Sequence, residues 1–170
     1  GGIDLAGVVV SSEDAEFQPG TEVLVNGCGL SETVDGGYSE YARIDSKSLV
    51  VIPEGMSAVE AMQIGTAGYT AALAIHRMEQ NGQSPDQGPI VFTGPTGGLA
   101  RVALDMLAAL GYEPLSVPRK PVEHASPRET RARRILLRDQ IDLGKRPTAK
   151  APWGCPIANL AGRYLTPFTR

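Results

Sequence analysis

The sequence predicts an α/β chain in two parts, a β-rich portion over residues 1–65 and part of a doubly wound parallel sheet over 66–170. Three observations carry this. Before Pro53, short apolar runs alternate with glycine-rich turns, the pattern of short strands. From Ser57 the apolar positions change to helical spacing. At 88–117, GPIVFTGPTGGLARVALDMLAALGYEPLSV passes from an apolar run through a glycine-rich turn and an amphipathic stretch into a second extended run, which is the order strand, turn, helix, strand.

Four strands are expected in the first part: IDLAGVVVSS (3–12), GTEVLVNG (20–27), GGYSEYARID (36–45) and SLVVIPEG (48–55), with acid-, Ser- and Gly-rich loops at 14–20 and 29–37. Ser57 is placed to cap AVEAMQIG, with Glu60 three residues on to complete a capping box. A longer helix follows in GYTAALAIHRMEQ (68–80), with Ala71, Leu73, Ala74 and Met78 expected on its apolar side. NGQSPDQGP (81–89) leads into the strand-helix-strand unit. Beyond Val117, RILL (134–137) reads as a third parallel strand and GCPIANL (154–160) as a fourth. Prolines complicate this stretch, since eight of the 13 fall in 114–170. Pro114 and Pro156 lie within strand candidates, and Pro121 and Pro127 within the intervening helix candidate, each removing a backbone donor. The chain stops at Arg170, before the second half of a doubly wound sheet, and is expected to be a piece of something larger.

A hydrophobic fraction of 42% with 21% charged residues suits a globular protein able to bury a core. No apolar run approaches the roughly 18 residues that cross a membrane, and no charged-then-apolar leader opens the chain, so a cytoplasmic protein with no membrane partner is expected. Cys28 and Cys155 lack the close spacing of a metal or redox pair, and His76 and His124 are the only histidines. No metal is assigned. The net charge of -3 hides an asymmetry: residues 1–117 carry 15 acids and 4 bases, residues 118–170 carry 4 acids and 12 bases. The basic stretch RETRARRILLR (128–138) has no aromatic interleaving, so it reads as a solvated face beside a phosphate site, and no nucleic-acid partner is expected.

Gly94, Gly97 and Gly98, with Ala100 where a further small residue is wanted, give G-x-x-G-G-x-A after a strand and into a helix. Glycines there allow a sharp turn and a close approach of backbone N–H groups to a pyrophosphate at the positive end of the helix. At the end of the second strand an acid would bind a ribose 2'-OH and a base would receive a 2'-phosphate. The sequence there is SVPRKP, and Arg119 and Lys120 favour NADP(H) over NAD(H), the competing reading being a solvated basic loop.

Taken together, GIDLAGVV, SEDAEFQPGTEVLV, GGYSEYARI, IGTAGYTAAL, VFTGPTGGLA and RILLRDQIDLGKRP resemble, in order and spacing, the zinc-independent medium-chain dehydrogenase/reductases, specifically the quinone-oxidoreductase-like group with its acryloyl-CoA reductases. The resemblance implies a partial GroES-like catalytic domain (1–65) followed by a partial Rossmann cofactor domain (66–170). Ile3 and Asp4 stand where zinc-using relatives carry a metal-binding His followed by an acid. The implied activity is NADPH-dependent hydride transfer to an activated alkene, such as an enoyl thioester, or to a quinone. The alternative is an inactive remnant or binding module of the same fold. The implied cofactor-binding residues are Thr66, Gly68 and Thr70 in GTAGYTA, then Gly94, Thr96, Gly97, Gly98 and Leu99 in the turn. Arg119 and Lys120 near the 2'-phosphate, and Asn159 and Leu160 near the nicotinamide ribose, complete the set. The competing reading of Thr66 is a helix cap. No catalytic residue is assigned, because the resemblance starts after the family's N-terminal substrate segment. Oligomeric state is left open, with a homodimer as one option, and the substrate is left open too. Pro118, Ser126-Pro127, Thr130-Arg131 and Ala158 depart from the residues usual in the family.

Overall fold

The computed structural model describes residues 1–93 and 97–117 together with the short strands Arg134–Ile135 and Pro156–Ile157. The chain divides into two compact units, Gly1–Tyr69 and Thr70–Arg170.

The first unit is built on a three-stranded antiparallel sheet in the order β1-β2-β3: β1 (Asp4–Val8), β2 (Glu22–Asn26) and β3 (Val50–Val51). Strand β1 pairs with β2 from Asp4↔Asn26 to Val8↔Glu22, and β2 meets β3 at Val23↔Val51. Alternation in β2 sends Val23 and Val25 into the interior while Glu22 stays exposed, as a half-buried strand requires. The loop before β2 ends in a tight turn: Thr21 N donates to Gln18 O at 3.0 Å, with Pro19 fixing φ and Gly20 at φ 96° taking the position closed to most L residues.

One expected strand is absent. Residues 36–45 form no strand, although Gly37 N donates to Gly2 O at 2.9 Å and Tyr38 N to Gly1 O at 3.0 Å. Two bonds to the chain's first residues do not make a ladder. Tyr38 and Tyr41 are 87% and 78% exposed, so the aromatic alternation that suggested a strand has no sheet face to bury against.

Helix α1 (Ala58–Gln80) opens with the expected capping box. Glu60 N donates to Ser57 Oγ at 3.2 Å, and Ser57 N and Oγ donate to the Glu60 carboxylate at 2.9 and 2.7 Å. Its helical path is broken at Gly65, whose φ of 49° and ψ of -158° lie in a region open essentially to glycine alone. Beyond the break Ala71, Ile75 and Met78 are buried at i, i+4 and i+7. Leu73, expected on the same face, is 40% exposed, because its position turns away from that stripe.

The second unit holds a parallel sheet in the order β6-β5-β4-β7: β4 (Ile90–Thr93), β5 (Pro114–Val117), β6 (Arg134–Ile135) and β7 (Pro156–Ile157). All three pairings are parallel, with Ile90↔Pro114, Leu115↔Arg134 and Val91↔Pro156 among the partners. Numbered in chain order this is 3-2-1-4, the first four positions in the strand order 3-2-1-4-5-6 of a doubly wound dinucleotide-binding sheet. Every residue of β4 and β5 is buried, as in strands covered on both faces. Pro114 and Pro156 each occupy the first position of a strand, where a missing donor costs least, which is how the proline-rich sequence remains compatible with a sheet.

Helix α2 (Gly98–Ala109) joins β4 to β5 and buries Ala100, Ala103, Leu104 and Leu107 in a core with Ile75, Met78, Ile90 and Phe92. It ends in a two-bond cap: Tyr112 N donates to Leu107 O at 2.9 Å and Gly111 N to Ala108 O at 3.2 Å, with Gly111 at φ 85°. The end of α1 repeats the device at Gly82, φ 87°. The Tyr112 hydroxyl, near Glu79 at 3.2 Å and Gln83 O at 3.1 Å, ties β5 to the end of α1.

Candidate functional site

The glycine turn delivers an open helix start. After β4, Gly97 takes the N-cap position of α2 in extended conformation (φ -75°, ψ 159°), with no side-chain cap and no acid in the first turn. Gly97 and Gly98 are exposed, and a Cβ built on Gly98 would meet nothing within 4 Å. Leu99 is half-buried, and Ala100, fully buried, gives the close helix-sheet packing its small side chain predicted. Among the described residues the positive end of this helix is therefore neither capped nor crowded, and it fits an anionic group such as a pyrophosphate. Gly94 and Thr96 of the same turn lie outside the described residues, as do Arg119, Lys120, Asn159 and Leu160.

The other cluster of expected site residues lies on α1. Gly68 is buried, Thr70 is exposed, and Thr66 is half-buried just after the break at Gly65. Thr66 and Gly68 belong to the first unit, Thr70 and Gly97–Leu99 to the second. Thr66 is held from β1: its hydroxyl donates to Asp4 Oδ1 at 2.6 Å and its backbone N–H to the same oxygen at 3.0 Å. Asn26, the cross-strand partner of Asp4, donates its amide to that oxygen at 2.8 Å. Burial acts to raise the Asp4 carboxyl, but the bonds from the Thr66 hydroxyl, the Asn26 amide and the Thr66 N–H outweigh it and hold the group below its ordinary range. A Cβ on Gly65 would lie 2.9 Å from Asp4 Oδ2, the end of a side chain, so the backbone at φ 49° and ψ -158°, more than this contact, calls for glycine at the break.

Sequence reasoning missed Asn26 and the tie between Asp4 and Thr66. The two residues stand 62 positions apart, and only the β1–β2 register with the break at Gly65 brings them together. The loop after β2 places Gly27, Cys28, Gly29 and Ser31 at positive φ around the buried Leu30, with Cys28 exposed. A recess lined by Ala6, Ala58, Val59, Met62 and Gln63 offers one amide and no titratable group. Among the described residues, no three His, Cys, Asp or Glu side chains are placed to share a metal ion, and no helix is long and apolar enough to cross a membrane.

Comparison with known proteins agrees with this geometry. No family model matches the chain. It is 38% identical over 165 residues to the putative quinone oxidoreductase YhfP of Bacillus subtilis and 40% identical over 164 residues to the probable acrylyl-CoA reductase AcuI of Escherichia coli, covering 96% of this chain and 50% of each relative. The chain thus spans about half the length of the curated relatives it matches. Among solved structures it is similar to the yhdH oxidoreductase of Salmonella enterica in complex with NADP, at 40% identity and a TM-score of 0.85 over 96% of this chain and 50% of that one. It is also similar to B. subtilis yhfP with NAD bound, at 39% identity and a TM-score of 0.81 over 91% of this chain and 47% of that one.

Proposed function

Because the chain belongs, over about half of its relatives' length, to the quinone-oxidoreductase and acryloyl-CoA-reductase group of the medium-chain dehydrogenase/reductases, we propose that it is part of an NADPH-dependent oxidoreductase acting on an activated alkene, such as an enoyl thioester, or on a quinone. The observation that carries the reading is the uncapped glycine start of α2, between two adjacent parallel strands. The bound cofactor supplies the hydride, delivered to the β-carbon of the alkene or to the quinone.

The chain's own residues bind and orient. Gly97, Gly98 and Leu99, with Gly94 and Thr96, hold the pyrophosphate through backbone N–H groups at the positive end of α2. Arg119 and Lys120 receive the 2'-phosphate through charge-assisted bonds, Thr66, Gly68 and Thr70 take part in holding the cofactor, and Asn159 and Leu160 belong with the nicotinamide ribose. The two parts of this reading are a partial GroES-like domain over 1–65 and a partial Rossmann domain over 66–170. Ile3, in the place of a zinc-binding His, makes the enzyme zinc-independent, and metal analysis of the purified protein checks this by finding no stoichiometric zinc. The reading includes a cytoplasmic location, a homodimer and no nucleic-acid partner.

The test is calorimetric titration of the 170-residue chain with NADPH and NADH, beside an absorbance assay with acryloyl-CoA or a small quinone. The expected result is weak binding that favours NADPH, without turnover by the chain alone, since it spans half of its relatives. Equal or NADH-favoured binding overturns the cofactor assignment. A second reading, a remnant that binds but does not catalyse, is favoured by the departures at Pro118 and Ala158. NADPH oxidation above the buffer rate removes it.

A further inference from the structure

Helix α1 breaks at Gly65 with no proline to break it. The segment Ala58–Gln80 contains none, and another common cause of a sharp break is a side chain that intrudes on the helical ladder. Here that side chain is Asp4. Its Oδ1 accepts from the Thr66 N–H at 3.0 Å and from the Thr66 hydroxyl at 2.6 Å, while Asn26, the partner of Asp4 across β1 and β2, donates to the same oxygen at 2.8 Å. The carboxylate is thus anchored on the sheet and reaches the helix from outside.

Three observations point to a second arrangement of the same residues. The donors that Asp4 takes from Thr66 have acceptors inside a helix: the N–H of residue 66 in an unbroken helix donates to the carbonyl of Met62, and a threonine hydroxyl can bond a carbonyl one turn back. Gly65 admits both paths, since its φ of 49° and ψ of -158° are open essentially to glycine alone, and glycine also enters a helix at a modest cost. Burial keeps helical spacing through the break. Ala61, Gly65, Gly68, Ala71, Ile75 and Met78 are all buried, and on an ideal helix these positions fall within an arc of about 140°. Ile64 falls in the middle of that arc, yet beside the break its side chain is 43% exposed. A continuous helix would return this apolar side chain to the stripe.

We propose that α1 is a two-state element: Asp4 latches the break at Gly65, and when the carboxylate is withdrawn residues 58–80 close into one continuous helix. The latch therefore fixes the backbone course of GTAGYTA (65–71). The inference concerns the chain itself and stands whether or not a dinucleotide binds.

The experiment is a double-mutant cycle on the 170-residue chain, read by denaturant midpoint and by the backbone carbon shifts around position 65 in NMR spectra. Gly65→Ala forces the choice, because alanine is excluded from the dihedrals of the break and is a better helix former than glycine. In the wild-type background it is expected to lower the midpoint, since the bonds to Asp4 are given up, and to turn the shifts at position 65 helical. In the Asp4→Ala background, where those bonds are already gone, the same substitution is expected to raise the midpoint. Asp4→Ala alone is expected to move the Gly65 shifts from non-helical to helical values. Should Asp4→Ala alone fail to fold, the double variant decides, because alanine at position 65 favours the continuous helix. A double variant that also fails to fold overturns the proposal. So does an equal loss from Gly65→Ala in both backgrounds, or a set of Gly65 shifts that stays non-helical in Asp4→Ala.

Discussion

Ser116 lies fully buried in β5, and its hydroxyl finds no hydrogen-bond partner among the described residues. The register Phe92↔Ser116 puts its side chain on the face of β4 and β5 that also carries Phe92, a member of the apolar core. An unsatisfied buried hydroxyl loses its water without a replacement, whereas a methyl group there loses nothing. Ser116→Ala is therefore expected to raise stability by about 1 kcal/mol, read as a higher denaturant midpoint with unchanged slope. Asp4 makes the opposite case of a polar group whose bonds matter. Its pKa is lower in the folded chain than in the unfolded one, so its contribution to stability is complete above the unfolded value of about 3.9 and is lost as pH falls through the folded value. Asp14, Glu60 and Asp86 are lowered too and add to acid sensitivity, so the comparison that isolates Asp4 is between wild type and Asp4→Asn. Midpoints taken between neutral and strongly acid pH are expected to fall less steeply in the variant, and equal slopes would remove Asp4 from the linkage.

Elements whose signals are local were legible in the sequence. The capping box at Ser57 and Glu60, the strand-turn-helix-strand order around Gly97, and the third and fourth parallel strands follow from residues near one another in the chain. GGYSEYARID failed as a strand because alternation says nothing about whether a partner strand is there to receive it, and Leu73 was misplaced because, two residues on from Ala71, it sits roughly 200° round the helix, away from the stripe of Ala71, Ile75 and Met78. The helix ends are the most testable of these local devices. Gly111, at φ 85°, closes α2 by letting the chain turn left-handed while its own N–H and that of Tyr112 reach back to Ala108 and Leu107. No side-chain clash answers a Cβ there, since nothing lies within 4 Å, so the penalty of Gly111→Ala is the conformational one alone. A loss of about 1 kcal/mol is expected, with the helical content of the folded state unchanged by circular dichroism. A loss several times larger would mean that the turn also carries packing not visible at Gly111 itself.

Over the whole molecule, the tie between Asp4 and Thr66 is the feature least visible in the sequence, because it depends on a strand register and a helix break 62 residues apart. The charge distribution was visible at once. Residues 1–117 carry 15 acids and 4 bases and residues 118–170 carry 4 acids and 12 bases, so the protein as a whole repels anions while its last third attracts them. In the proposed site a 2'-phosphate, with close to two negative charges, would gain about 1 to 3 kcal/mol from charge-assisted bonds to Arg119 and Lys120, and a bare ribose hydroxyl would not. Replacing Lys120 by Glu substitutes repulsion for attraction at that phosphate and supplies an acceptor for the hydroxyl, so Lys120→Glu is expected to reverse the preference and favour NADH. The gain at the 2'-phosphate is screened by salt, so the wild-type preference for NADPH should shrink as ionic strength rises while NADH binding changes less. If instead the 12 bases serve a nucleic acid, duplex DNA would be shifted in a gel at low salt and Lys120→Glu would weaken that shift without altering the choice between dinucleotides. An unshifted duplex together with a reversed, salt-sensitive cofactor preference is the expected outcome. A Lys120→Glu chain that still favours NADPH would remove Lys120 from the phosphate site.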